Sequence, residues 1–366
     1  MLAAAHHSGC FTCLKMLSDN EGLRVEEVKT CCLCGQAGRV LHPALRDRLF
    51  NAPGVWSLLE CGHCHLGWLD PRPVAEGMGK LYANYYTHGE ETPAPSSSRG
   101  QQKFRQKAKK AVLAAQLGYP TSEDSAFWKC VGNLGRYFPL LRDLAMGFVR
   151  DLPFVPAGRL LDVGCGSGDF LWAMRARGWR VKGVEPDPEA ARLARERYCL
   201  EVTTGTLEGA ALPAASVDAM TLSNVIEHVP DPVALLRECG RVLRPGGKLV
   251  VETPNLQSFG HRRFGASWRG LEVPRHFFLF SRRALRACAE KAGLEIASLR
   301  TTSRASRLYY MSSDALRRGL PPAQNRYRPG RGVIYKSWVF LACEETLRLL
   351  NGKAGEELVL IATRSG

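Results

Sequence analysis

Glycines at 164, 166 and 168 follow an apolar run, Leu160, Leu161 and Val163, that carries one carboxylate, Asp162. The run, the glycine turn and the helical periodicity of Phe170 to Met174 read as strand, loop and helix. Such a loop turns backbone N–H groups and a helix N-terminus toward an anionic or polar ligand. The spacing is G-x-G-x-G; a dinucleotide fingerprint would need its third glycine where Asp169 stands. A second acid, Glu185, ends the next strand candidate, Trp179 to Val184, 23 residues beyond Asp162. Nucleoside-binding α/β folds place a carboxylate there on the ribose hydroxyls, with each charge-assisted bond contributing roughly 1.5–3 kcal/mol.

A different chemistry is written in the cysteines. Cys31-x-x-Cys34 and Cys61-x-x-Cys64 are two knuckles separated by 26 residues. Each sets two thiolates on one turn, helped by Gly35 and Gly62, and the two together complete a tetrahedral zinc site. No ligand position is left open, so the zinc would be structural. Cys32, His63 and His65 stand close by as spare ligands. So small a segment has little core of its own, and zinc contributes ~10–16 kcal/mol to the folding of isolated zinc peptides. Thirteen cysteines without a secretory signal favour reduced thiols and a cytoplasmic location.

Two further groups could act on a substrate beside the glycine loop. Glu227-His228 follows the fourth strand candidate, Val217 to Leu222, with Asn224 at its end; His228 is a base or a helix-capping histidine. Ser267 to Phe280 sets Glu272, Arg275 and His276 among aromatics on a proline-bent loop expected to overhang the site. It would supply a base or an anion clamp, or else its Arg and Glu pair to close the fold.

The elements that position these groups alternate. Asp187-Pro188 caps a helix, Leu200 to Thr203 is a third strand, Leu235 to Leu243 is helical, Leu249 to Glu252 is a fifth strand, and Leu294 to Thr301 and Glu357 to Arg364 are the last two. Strands separated by helices make a doubly wound parallel sheet. Ahead of them, Glu90 to Gly100 has linker composition, Gln101 to Leu117 is a basic helix and Phe138 to Leu152 an apolar one. Five segments result: 1–30, a disordered or mis-started N-terminus with Met16 as a second candidate start; 31–90, the zinc module; 91–157, linker and helical cap; 158–302, the ligand-binding core; and 303–366, an acceptor-side insertion with basic loops, an apolar helix (Trp338 to Leu350) and the last strand.

At 366 residues, with 45% hydrophobic and 23% charged, the chain is of ordinary globular composition. No apolar run is long enough to span a membrane. The net charge of +15 suits RNA, anionic lipid or a phosphorylated substrate, or is a solvated surface.

Taken with Asn224 to Pro232 (N-V-I-E-H-V-P-D-P), Leu243 to Lys248 (L-R-P-G-G-K) and Glu252 to Pro254, the loop resembles motif I of the class I S-adenosylmethionine methyltransferases. The resemblance covers residues 158–300. The ribbon, ending in Leu69-Asp-Pro-Arg-Pro73, is similar in layout to bacterial methyltransferases with an N-terminal zinc module, some of them sugar C-methyltransferases. There Tyr82, Tyr85 and Tyr86 are lid or packing aromatics. The resemblance implies a Rossmann-like seven-stranded sheet with a small zinc ribbon and a helical cap. It assigns S-adenosylmethionine to Asp162, Gly164, Gly166, Gly168, Glu185, Leu207 and Asn224, and zinc to Cys31, Cys34, Cys61 and Cys64. His276, His228 and Glu272 become the catalytic candidates. The last strand would run antiparallel to the sixth. Ubiquinone-type O-methyltransferases associate a Glu-x-x-Glu-His version of the fourth-strand motif with a divalent metal; this chain departs from it at Asn224.

The acceptor expected is a small molecule, a sugar or a lipid-linked glycan, with peripheral membrane contact through the insertion. An RNA methyltransferase gripping RNA with ribbon and basic surface is the alternative, although Asn224-Val-Ile-Glu227 is not the Asn/Asp-Pro-Pro-Tyr motif suited to base amino groups. A non-catalytic S-adenosylmethionine-binding scaffold is the second alternative, and the complete motif set argues against it.

Overall fold

The computed structural model describes residues 16–74, 81, 99–122, 125–320 and 327–365. Tyr82, Tyr85, Tyr86 and most of the Glu90–Gly100 linker lie outside these residues.

The N-terminal module contributes β1 (Met16–Asp19), β2 (Arg24–Glu26), β3 (Gly38–Leu45), β4 (Trp56–Cys61), β5 (Gly67–Asp70) and β6 (Arg72–Pro73). A bridge of α1 (Arg99–Leu117), α2 (Ala126–Leu134) and α3 (Pro139–Met146) follows. The core runs β7 (Arg159–Val163), α4 (Asp169–Arg175), β8 (Arg180–Glu185), α5 (Pro188–Tyr198), β9 (Val202–Thr204), β10 (Val217–Ser223), α6 (Pro232–Val242) and β11 (Leu243–Pro254). It continues with α7 (Phe259–Phe264), β12 (Phe278–Leu279), α8 (Arg282–Lys291) and β13 (Leu294–Thr302), then α9 (Ser306–Arg317), α10 (Arg331–Asn351) and β14 (Glu357–Arg364).

Seven strands form one sheet in the order β13-β14-β11-β10-β7-β8-β9. From β11 to β9 all neighbours are parallel, and β14 lies antiparallel between β11 and β13. This is the Rossmann-like sheet expected. β7 and β10 sit in its middle, buried on both faces, which is why their sequences read as near-continuous apolar runs. Asp187 and Asp231 cap α5 and α6 by accepting from the first-turn amides, with Pro188 and Pro232 at the first helical position.

Several boundaries differ from the sequence reading. Residues 16–30, expected without regular structure, hold β1 and β2, which join β6 in a three-stranded sheet and bury Leu23 and Val25. Strands of four and three residues show no periodicity; β2 is defined by pairing with β1 on one side and with Arg72–Pro73 on the other. The apolar helix expected over 138–152 stops at Met146, because a tight turn over Gly147–Val149 leads into left-handed Arg150 and Asp151 (φ 47° and 57°). The region from residue 303, expected as basic loops and one helix, contains a second helix, α9, which buries Tyr309, Tyr310 and Ala315.

The cysteine module does not stand apart. β12 of the core pairs with β5 in the sheet β12-β5-β4-β3. Leu33, Cys61, Leu66 and Trp68 share one buried cluster with Leu161, Leu222, Phe278 and Phe280. The core that the short segment lacks is supplied by the main sheet.

Candidate active site

β7 delivers Asp162 and the glycine loop to the carboxyl edge of the sheet, where open α/β folds bind ligands. Amides of Gly164 and Cys165 bond Val184 O at 2.8 and 3.3 Å, locking the loop onto β8. All three loop glycines have positive φ. A Cβ on Gly168 would come within 2.6 Å of Leu200 Cδ1 and 2.9 Å of Ala194 Cβ, so this glycine lets α5 approach α4. A Cβ on Gly166 would meet nothing within 4 Å, so this glycine faces open space.

Two buried carboxylates flank that space. Asp162 accepts from Thr221 Oγ1 at 2.7 Å and pairs with Arg150. Its Oδ2 is buried without a hydrogen-bond partner among the described residues, a free acceptor suited to a ligand's ammonium. Burial pushes its carboxyl above the usual range, against the pull of Arg150 and Thr221. Glu185 accepts from Gly166 N at 2.7 Å and Asp187 N at 3.0 Å. Burial raises it too, and those amides oppose the rise. Gly166 and Glu185 thus meet, as their spacing implies. Asn224 follows β10 at φ 53° and its amide bonds Glu252 O at 2.9 Å. Leu207 lies in the main core cluster, where packing accounts for its side chain.

The two acceptor-side segments come together. Glu227 O takes the amides of Phe277 and Phe278 at 2.8 and 3.1 Å, which brings the His228 and His276 rings edge to face at 4.7 Å. His228 Nδ1 lies 3.0 Å from Arg275 O, and His276 Nδ1 lies 2.8 Å from Gly270 O. A carbonyl only accepts, so each Nδ1 carries the proton and each Nε2 a lone pair. Burial pulls both imidazoles down, His276 to about 3, so both are neutral at neutral pH. Glu272 Oε2 lies 3.8 Å from His276 Nε2. Burial works against the Glu272 charge, yet Arg269, His276 and Arg275 hold its carboxyl far below the usual range.

The segment from Ser267 is not an overhanging loop. Arg275 is completely buried, with Nη1 donating to Asp47 Oδ2 at 2.9 Å and to Leu81 O at 3.3 Å, and Nε to Glu272 Oε1 at 3.4 Å. The anion clamp is therefore not available from Arg275; its charge closes the N-terminal module onto the core.

Several neighbours had no cue in the sequence. Arg150 reaches Asp162 only because of its left-handed backbone, and stacks 3.8 Å over Phe170. Arg304 joins Glu252 to Asp151, tying cap to core. Glu227 Oε2 accepts from Thr253 Oγ1 at 2.9 Å, while Oε1 is buried without a partner from another described residue. One ligand atom each from Glu227, His228 and His276 lies within 4.8 Å of the others, a donor set that can hold a cation although Asn224 stands where the ubiquinone-type motif has its first acid.

Cys31, Cys34, Cys61 and Cys64 bring their sulfurs within 4.8 Å of one another. Cys31 to Cys64 is 3.5 Å and Cys34 to Cys61 3.4 Å. The hydrogen bond from Cys31 pulls the Cys64 thiol below its ordinary value. Amides of His63 and Cys64 donate to Cys61 Sγ at 3.4 and 3.5 Å. The spare ligands fall away: Cys32 is exposed, His65 bonds Glu60 at 3.1 Å and His63 lies 3.4 Å from Arg283. Four thiols so placed fit a tetrahedral soft-metal ion.

Residues 135–299 match the model of a methyltransferase domain, somewhat less than half of the chain. A ubiquinone biosynthesis O-methyltransferase of Xanthomonas axonopodis pv. citri is 36% identical over 154 residues, 38% of this chain and 64% of the relative. The same-named protein of Cupriavidus pinatubonensis is 29% identical over 232 residues, 56% of this chain and 92% of the relative. The chain spans 51% to 64% of the length of the Xanthomonas relatives it matches. Among solved structures, an S-adenosylmethionine-dependent methyltransferase of Archaeoglobus fulgidus aligns with TM-score 0.40 at 20% identity, over 63% of this chain and 91% of that one.

Proposed function

We propose that this chain, which carries a methyltransferase domain of the S-adenosylmethionine-dependent class, transfers the sulfonium methyl group to a small-molecule acceptor. The acceptor lone pair bonds the methyl carbon as the S–C bond breaks, with the electron pair leaving on sulfur. Since the leaving group comes with the donor, the protein mainly aligns an in-line displacement. One observation carries the acceptor-side reading: His228 and His276, neutral and with their Nε2 lone pairs fixed by Nδ1 bonds to backbone carbonyls. An oxygen acceptor turns strongly acidic as its bond to the methyl carbon forms, so even these lowered imidazoles take its proton, and Glu272 offsets the charge of the imidazolium. Asp162, the glycine loop and Glu185 hold the donor. Were a divalent cation held by Glu227, His228 and His276, it would polarise the acceptor atom.

The names of the relatives, which refer to O-methylation in ubiquinone biosynthesis, support a small-molecule acceptor over RNA. Sugars and lipid-linked glycans belong to that class. We assign zinc to the four cysteines in a structural role. Calorimetric titration with S-adenosylmethionine, followed by transfer of labelled methyl to hydroxylated small molecules and to RNA, tests the reading. Failure to bind the donor overturns it, and transfer to RNA alone replaces the acceptor. Elemental analysis should return about one zinc per chain; a folded, metal-free protein removes the ribbon's metal.

A further inference from the structure

Helix α10 has one face packed inward and the opposite face bare. Val333, Ser337, Phe340, Leu341, Glu344 and Arg348 are buried, and Glu344 accepts from the Glu356 amide beside β14 at 3.1 Å. Tyr335, Trp338, Val339, Ala342, Leu349 and Leu350 recur at helical spacing on the other side and are exposed, Tyr335 at 69% and Leu350 at 78%. Leu308 of α9 is exposed as well. An apolar arc this wide on a surface helix marks a contact that the described residues do not make.

Its charges point to the partner. No exposed carboxylate lies on this face among the described residues: Glu344 is buried and Glu345 pairs with Arg348 at 2.8 Å. The cations at its margin are Arg331 and Lys336, exposed on the helix itself, and Arg307, whose guanidinium lies 3.8 Å over the Trp338 ring. Lys353 stands just beyond the helix end.

We propose that this face docks on an anionic lipid surface, with α10 lying in the plane of the membrane. Leu349, Leu350 and Val339 enter the acyl boundary, while Trp338 and Tyr335 occupy the headgroup level that amphipathic rings favour. Arg307, Arg331 and Lys336 meet lipid phosphates. A second copy of the chain would set one cationic margin against another in a protein of net charge +15, whereas lipid phosphate answers both the apolar arc and its rim. The contact is peripheral, for no helix among the described residues is long and apolar enough to cross a membrane. It stands whatever the methyl acceptor is.

Co-sedimentation of the full chain with vesicles tests the proposal. The chain should sediment with phosphatidylcholine vesicles containing about 30 mol% phosphatidylglycerol, weakly with phosphatidylcholine alone, and less as salt rises. Trp338→Ser with Leu349→Ser should lower partitioning by more than about tenfold, and Lys336→Glu by about fivefold. Circular dichroism and S-adenosylmethionine affinity should not change, since these side chains are exposed. No sedimentation with anionic vesicles overturns the proposal. So does unchanged sedimentation of the double variant, or a dimer of the wild type that the double variant converts to monomer without any lipid binding.

Discussion

The donor rim and the acceptor cluster are built on different plans. Asp162, Gly164, Gly166, Gly168 and Glu185 come from one strand-loop-helix-strand unit, and Glu185 reaches Gly166 across 19 positions of chain. The acceptor cluster joins Glu227-His228 to Glu272–His276, some 47 positions on, and is braced by Asp47 from the other end of the chain. A local site tolerates changes elsewhere in the fold. A site gathered from distant segments depends on the packing that gathers it, so its substitutions should separate turnover from donor binding.

Gly166→Arg should sharpen this contrast most. It fills the open side of the loop at φ 55° and should lower S-adenosylmethionine affinity by at least about 100-fold, with the zinc content unchanged. Unaltered affinity in calorimetry would break the donor assignment. On the acceptor side, His276→Ala should slow kcat by about 10² to 10⁴ and leave donor affinity within about twofold. Undiminished turnover takes His276 off the catalytic list, and a matching loss of donor affinity would mean that the two regions are not separable.

Glu185→Gln keeps the shape and removes the charge, so donor affinity should fall by about 10- to 100-fold, the value of a charge-assisted bond. An unchanged dissociation constant would leave the carboxylate only its bonds within the loop.

The last prediction concerns the acceptor side's support. Burial pushes Glu344 up to about 9 and Glu356 up to about 7, with Glu356 bonded to Trp268 Nε1 at 2.7 Å and Gly260 N at 2.6 Å. A carboxyl raised on folding binds its proton more tightly in the native state. Its contribution is fully present below the unfolded value near 4.5 and is lost as pH climbs through about 7 to 9. Thermal stability should therefore fall over that window, and Glu344→Gln should flatten the fall; a pH profile identical to wild type would exclude the pair as its source.

The alternation of strands and helices, the cap at Asp187 and the two cysteine knuckles were legible because each rests on short-range spacing. The two-residue strand β12 and the left-handed turn at Arg150 were not. Neither has a periodicity, and each is held by a partner far away in sequence, β5 for the one and Asp162 for the other. Arg275 stayed open between an anion clamp and an Arg–Glu pair that closes the fold for the same reason: its type was visible, but its burial against Asp47 and Glu272 was not.

By itself the sequence determined the glycine loop and the cysteine knuckles, since each sits on a turn whose glycines and spacing already define the geometry. Only the tertiary structure decided that the knuckles share the core of the main sheet, that two histidines 48 residues apart meet ring to ring, and that Arg275 is spent on closing the fold. Those outcomes depend on which distant surfaces exclude water together, and no local pattern of residue types encodes that.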